Sequence, residues 1–127
     1  MREIRFRAWD KTNKEMVKVR QIVIPDGKNE NGLQELSISG LKYGANPSHW
    51  LIAPPLMQYI GLHDKKGVEI YEGDYLLTDE AGWRAKVIFE RGSFFLVDGK
   101  GGFSVEPNWE ECEVIGNCYE HPDLLEK

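Results

Sequence analysis

Cysteine, histidine and methionine are scarce in this chain of 127 residues, with two, three and three copies respectively. Two cysteines make no disulfide framework. No apolar segment follows the N-terminal charges as it would in a secretory leader. Long hydrophobic runs are missing as well: the longest, Leu51 to Leu56, contains Pro54 and Pro55 and falls far short of the ~20 residues that cross a bilayer. These absences predict a protein of a reducing cytoplasm, with no disulfide and no membrane association. Repeats and low-complexity tracts are also lacking. So are a Walker-type phosphate loop, a Gly-x-Ser-x-Gly elbow and a His-Glu-x-x-His helix. The glycine run at 99–102 has no helix behind it and reads as a flexible hairpin end.

What is present suffices for a core. Hydrophobic residues are 41 % of the chain, a globular proportion that excludes disorder. A domain of this size removes about two-thirds of its unfolded surface from water. The net charge of −5 provides no global attraction to nucleic-acid phosphates. Its distribution is uneven. Residues 1–20 hold seven basic and three acidic side chains, and residues 106–127 hold seven acidic and one basic. Two ends of opposite sign suit contact within a subunit or between subunits, but two separate solvated surfaces explain the pattern more simply.

Period-two alternation marks a strand at Arg2–Trp9, with Ile4, Phe6 and Ala8 on one side and Arg5, Arg7 and Trp9 on the other. The polar turn Asp10–Lys14 leads to a β-branched return strand, Met16–Ile24, which Pro25-Asp26-Gly27 ends. Leu33–Ser39 fits a strand with Leu36 and Ile38 inward, or a short helical turn. Tyr43–Pro55 is irregular. Short strands then follow at Leu56–Ile60, Glu69–Tyr71, Tyr75–Thr78, Trp83–Glu90, Phe94–Val97, Phe103–Val105 and Cys112–Gly116, with a single helical turn at Pro107–Glu111 before the last. Many short strands with frequent turns and no long helix predict a mainly β domain. The order from residue 73 onward predicts an SH3-like, partly open barrel over 57–118. The hairpin of residues 1–24 would pack on it, 25–55 would be a variable irregular segment, and Pro122–Glu126 a short C-terminal helical turn. All of this forms one domain over 1–127.

Three blocks resemble a known family: Arg2-Glu3-Ile4-Arg5-Phe6-Arg7-Ala8-Trp9-Asp10, the long central run from Met57 through Gly61-Leu62-His63-Asp64-Lys65-Lys66-Gly67 to Tyr71-Glu72-Gly73-Asp74, and Val114-Ile115-Gly116-Asn117-Cys118-Tyr119-Glu120-His121-Pro122-Asp123-Leu124-Leu125. In this order and spacing the chain resembles the YopX family, small proteins of bacteriophages and prophages. The resemblance implies a β-rich, oligomeric phage product working in the bacterial host's cytoplasm. It implies no particular activity and supplies no catalytic residue. Ile60 stands where the family often has Thr, and His63 where it is often basic.

Cys112-x5-Cys118-x2-His121 invites a zinc reading, but the spacing is not that of paired knuckles, and a fourth ligand would have to be the distant His49 or His63. Two cysteines acting as small apolar residues explain the pattern better, so neither a metal nor any other cofactor is expected. The acidic residues Asp64, Glu69, Glu72, Asp74, Asp79 and Glu80 could supply a catalytic pair, yet several stand where turns need a side-chain acceptor. No catalytic residue is therefore assigned, and an enzyme is the third-ranked class. The strongest set is Arg5, Arg7 and Trp9 on one strand face, extended by Lys11, Lys14, Lys18 and Arg20. Such a face could stack bases and hold phosphates. It equally suits an interface, where Arg and Trp are enriched, and the acidic whole favours that reading. The expected partner is a second copy, through the segment Glu106–Glu126. A phage or host protein comes next, and nucleic acid is the alternative.

Overall fold

A computed structural model describes residues 3–32, 35–40, 50–78 and 81–126. The chain divides into two compact units, Arg5–Met57 in one and Met1–Ile4 with Gln58–Lys127 in the other. The division falls at the start of the segment for which a barrel is expected.

In the first unit, β1 (Phe6–Asp10) and β2 (Glu15–Val23) form the expected antiparallel hairpin. Ala8 stands opposite Val17, and both are buried. Ile4 departs from expectation. It precedes the ladder and is 64 % exposed. Asp10 belongs to the strand and organises the turn: its carboxylate accepts the Thr12 and Asn13 backbone N–H groups at 3.0 and 3.2 Å and the Asn13 amide at 2.9 Å. That anchoring lets Lys14 occupy the left-handed region at φ 53°. β3 (Ser37–Gly40) pairs with β2 across an irregularity between Val19 and Gln21, and β4 (Leu51–Ile52) pairs with β3. Of the two conformations open to Leu33–Ser39, residues 37–39 are strand, with Ile38 fully buried. Much of the stretch expected to be irregular, at 41–49, lies outside the described residues, as do Arg2, His49, Asp79 and Glu80.

β5 (Leu56–His63) carries the chain into the second unit, where it pairs with β6 (Glu69–Tyr71). β7 (Asp74–Leu77), β8 (Arg84–Glu90), β9 (Ser93–Val97), β10 (Phe103–Ser104) and β11 (Glu113–Asn117) make an antiparallel sheet in the order β10-β9-β8-β7-β11. A 3-10 turn at Trp109–Glu111 precedes β11, which returns to pair with β7, as an SH3-like layout requires. Among the described residues β10 and β11 remain edges, so the barrel does not close. A second 3-10 turn, Leu124–Glu126, ends the chain's described part. Ile60, Ile70, Leu76, Ala85, Val87, Leu96 and Cys112 form the core, with Trp83, Phe94, Trp109 and Val114 packed against it. The strands alternate so that Leu76, Ala85, Val87 and Leu96 meet on one sheet face. Each larger member contributes roughly 1.5–3 kcal/mol by leaving water.

Candidate interaction surface

The register of the hairpin decides what its basic residues can do together. Arg7 is the cross-strand partner of Lys18, and Trp9 of Met16. Arg7 and Trp9 therefore occupy one face of the β1–β2 ladder, whereas Arg5, expected on the same face, precedes the strand. Lys11 and Lys14 sit on the exposed turn, and Lys18 and Arg20 are exposed on β2. Arg5, Arg7 and Trp9 are only half-buried, and the Nε atoms of both arginines are shielded from solvent. The face is thus an amphipathic ledge with a cationic rim. Lys11, Lys14, Lys18 and Arg20 place exposed positive charge around it.

The acidic residues have different employment. Asp64, 6 % exposed, accepts the backbone N–H groups of Lys66 and Val68 through Oδ1, both at 2.8 Å, and that of Val114 through Oδ2 at 2.9 Å. Burial opposes its ionisation, but the three backbone donors and the nearby Lys66 ammonium outweigh burial and hold its pKa below the ordinary aspartate range. Asp74 is buried and accepts the Tyr71 N–H at 2.8 Å. Glu72 accepts the Gln58 N–H at 2.9 Å. Asp64 and Asp74 fix turns, as their sequence positions suggest, whereas Glu72 bonds a distant strand. Lys66 bonds Glu113 at 2.7 Å, with Lys65 at 3.8 Å; that hydrogen bond and attraction lower the Glu113 pKa and raise that of Lys66.

Two residues of the zinc pattern, Cys112 and His121, have their side chains bonded to the backbone. The buried Cys112 thiol donates to the Asn108 carbonyl at 3.3 Å. His121 Nδ1 accepts the Asn117 N–H at 3.3 Å, and Asn117 Oδ1 in turn accepts the N–H groups of Tyr119 and Glu120.

The glycine run 99–102 is not a loose hairpin end. Asp98 accepts the Trp83 indole N–H at 3.0 Å and the backbone N–H groups of Lys100 and Gly102 at 2.7 and 2.8 Å. The indole bond is the chief reason its pKa is lowered. An added Cβ at Gly102 would meet Asp98 Cγ at 2.9 Å. An Asp opening a glycine-rich stretch is a recognisable turn signature. Its partner Trp83, fifteen residues back, is not legible in the sequence.

The sequence profile of the family described as YopX protein matches residues 5–126. The chain belongs to the YopX family. Among solved structures it is similar to the crystal structure of protein EF1440 from Enterococcus faecalis, with 28 % identity over 98 % of this chain and 99 % of that one and a TM-score of 0.59. No curated protein matches it. The central and C-terminal YopX blocks meet directly. Val114 donates to Asp64, Cys118 N–H donates to the Gly73 carbonyl at 2.9 Å, and β7 pairs with β11. The YopX pattern in these two blocks therefore reports a structural junction. Among the described residues no helix is long and apolar enough to cross a membrane.

Proposed function

We propose that this YopX-family chain is a phage- or prophage-encoded, non-enzymatic accessory protein of the bacterial cytoplasm that acts through protein–protein contacts and self-associates through its N-terminal hairpin. The observation that carries the reading is the register that aligns Arg7 with Lys18 and Trp9 with Met16, behind the exposed Lys11 and Lys14. A large aromatic within a cationic rim is the composition of an interface centre. The acidic stretch from Glu106 onward offers the complementary charge. Joining the hairpin of one copy to that stretch of another uses each contact twice in a two-fold dimer. The net charge of −5 favours the protein interface over the nucleic-acid alternative.

The test is the mass in solution, with a subunit of 14.6 kDa. Light scattering at tens of micromolar protein should give about twice that mass. Trp9→Ala with Arg7→Glu should return it to the monomer, and Lys14→Glu with Lys18→Glu should do the same without touching half-buried positions. A monomeric wild type refutes self-association, and an unchanged dimer in both double variants refutes the assigned face. Binding to single-stranded oligonucleotides that weakens steeply with salt would establish the alternative.

A further inference from the structure

We propose that Asp26–Gly27, in the connection between β2 and β3, is a spontaneous modification site at which the aspartate converts to isoaspartate. The tripeptide Asp-Gly-Lys occurs twice in this chain, as Asp26-Gly27-Lys28 and as Asp98-Gly99-Lys100. The local chemistry is the same at both, so the sequence does not separate them. Glycine makes the step possible, because without a Cβ its amide nitrogen can approach the preceding side chain closely. In the reaction the Gly27 nitrogen attacks Cγ of the protonated Asp26 carboxyl. An N–Cγ bond forms, and the amide proton and the carboxyl hydroxyl leave together as water. Water then opens the five-membered imide. Breaking the N–Cγ bond restores aspartate, and breaking the bond from nitrogen to the main-chain carbonyl carbon leaves isoaspartate. One water is released and one consumed, so no further reactant is needed.

The two copies differ in what holds their atoms. Asp26, Gly27 and Lys28 are exposed and lie beyond the end of β2 at Val23. Among the described residues, neither the Asp26 carboxyl nor the Gly27 N–H has a hydrogen-bond partner. Both reacting groups can therefore reach the geometry of attack. Asp98 is held: its carboxylate accepts the Trp83 indole N–H and the backbone N–H groups of Lys100 and Gly102. Turning its Cγ toward the Gly99 nitrogen breaks those bonds. They also favour the ionised carboxylate, which has no hydroxyl to lose as water. The related pair Asn31–Gly32 reacts with loss of ammonia, and its Gly32 nitrogen is bonded to the Asn29 carbonyl at 2.9 Å. Isoaspartate at position 26 would add one carbon to the main chain between β2 and β3. It is the chemical class read by methyltransferases that act on isoaspartyl carboxylates.

The experiment ages the full chain at mildly acidic pH, native and in urea, until the urea sample has converted measurably. Isoaspartate is located by peptide mapping with electron-transfer fragmentation. In urea both Asp-Gly-Lys copies should convert at similar rates. In the native chain Asp26 should keep its urea rate, and Asp98 should lag it about tenfold or more, since its turn must open first. Gly27→Ala, whose added Cβ meets nothing within 4 Å, should stay folded and suppress conversion at Asp26. Mapping site by site separates Asn31, whose loss of ammonia changes the mass. Absence of isoaspartate at Asp26 in the native chain would overturn the proposal. So would equal native rates at Asp26 and Asp98, or undiminished conversion in Gly27→Ala. No readout involves a second copy or a charged partner, so the outcome is independent of the hairpin interface.

Discussion

Single short polar side chains hold this molecule's turns. Asp10, Asp64, Asp98 and Asn117 each accept at least two backbone N–H groups. Asp64 reaches furthest, joining its own turn to Val114, fifty residues on. In Asp64→Asn one carboxylate oxygen becomes an NH2 group, which must face a backbone donor. The expected cost is about 1–3 kcal/mol, read as a lower denaturation midpoint. The same site sets an acid limit. Asp64 has a folded pKa below its unfolded one, so its stabilisation is complete above the ordinary aspartate range and is lost as pH falls through the depressed value. Melting temperatures of the wild type should fall as pH drops through and below the ordinary aspartate range, and the fall should be shallower in Asp64→Asn. An equally steep fall in the variant would place the acid sensitivity elsewhere. Asp98 and Glu113, also depressed, act in the same direction.

At the scale of elements, close approaches decide where strands end. The β8–β9 hairpin turns in two residues, with Arg91 at φ 53° and Gly92 at φ 83°, the primed geometry that matches strand twist. β11 contains the tighter constraint. Its pairing with β7 shifts register between Val114 and Gly116, and a Cβ on Gly116 would lie 2.8 Å from His121 Nδ1 and 3.0 Å from Leu124 Cδ2. Gly116→Ala should therefore push the C-terminal turn away from β11 at a cost of about 1–3 kcal/mol, as overpacking does. Limited proteolysis should then cut within residues 117–126 faster than in the wild type. Unchanged cleavage would mean that the turn accommodates the methyl group.

At the scale of the whole molecule, the two units differ in what they bury. Among the described residues, the buried apolar side chains of the first unit are Ala8, Val17, Ile38 and Met57. The second buries Tyr59, Ile60, Ile70, Tyr71, Tyr75, Leu76, Ala85, Val87, Leu96 and Cys112. Opening free energies follow buried apolar contacts. Amide exchange should accordingly be slowest in β7, β8 and β9 and faster in β2 and β3. Uniform protection across both would show that they open as one cooperative body.

The sequence alone determined the mainly β class, the N-terminal hairpin, the run of short strands from Asp74 to Asn117 and the YopX membership, because these depend on alternation, turn residues and local blocks. Among the described residues the barrel expected over 57–118 does not close, and β5 and β6 lie outside the five-stranded sheet. The long hairpin Arg84–Val97 and the turn before β11 were legible for the same reason. Tertiary structure decided what no local pattern encodes. It left Ile4 outside the ladder, because the strand starts two residues later. It made the glycine run a tight turn, because Trp83, just before β8, meets Asp98, just after β9. It bound Asp64 to Val114 and Glu72 to Gln58. Register, which pairs residues far apart in the chain, also aligned Arg7 with Lys18 and placed Lys86 beside Val97 on an open sheet face. Period two tells which residues share a strand face; only pairing tells which strands lie side by side.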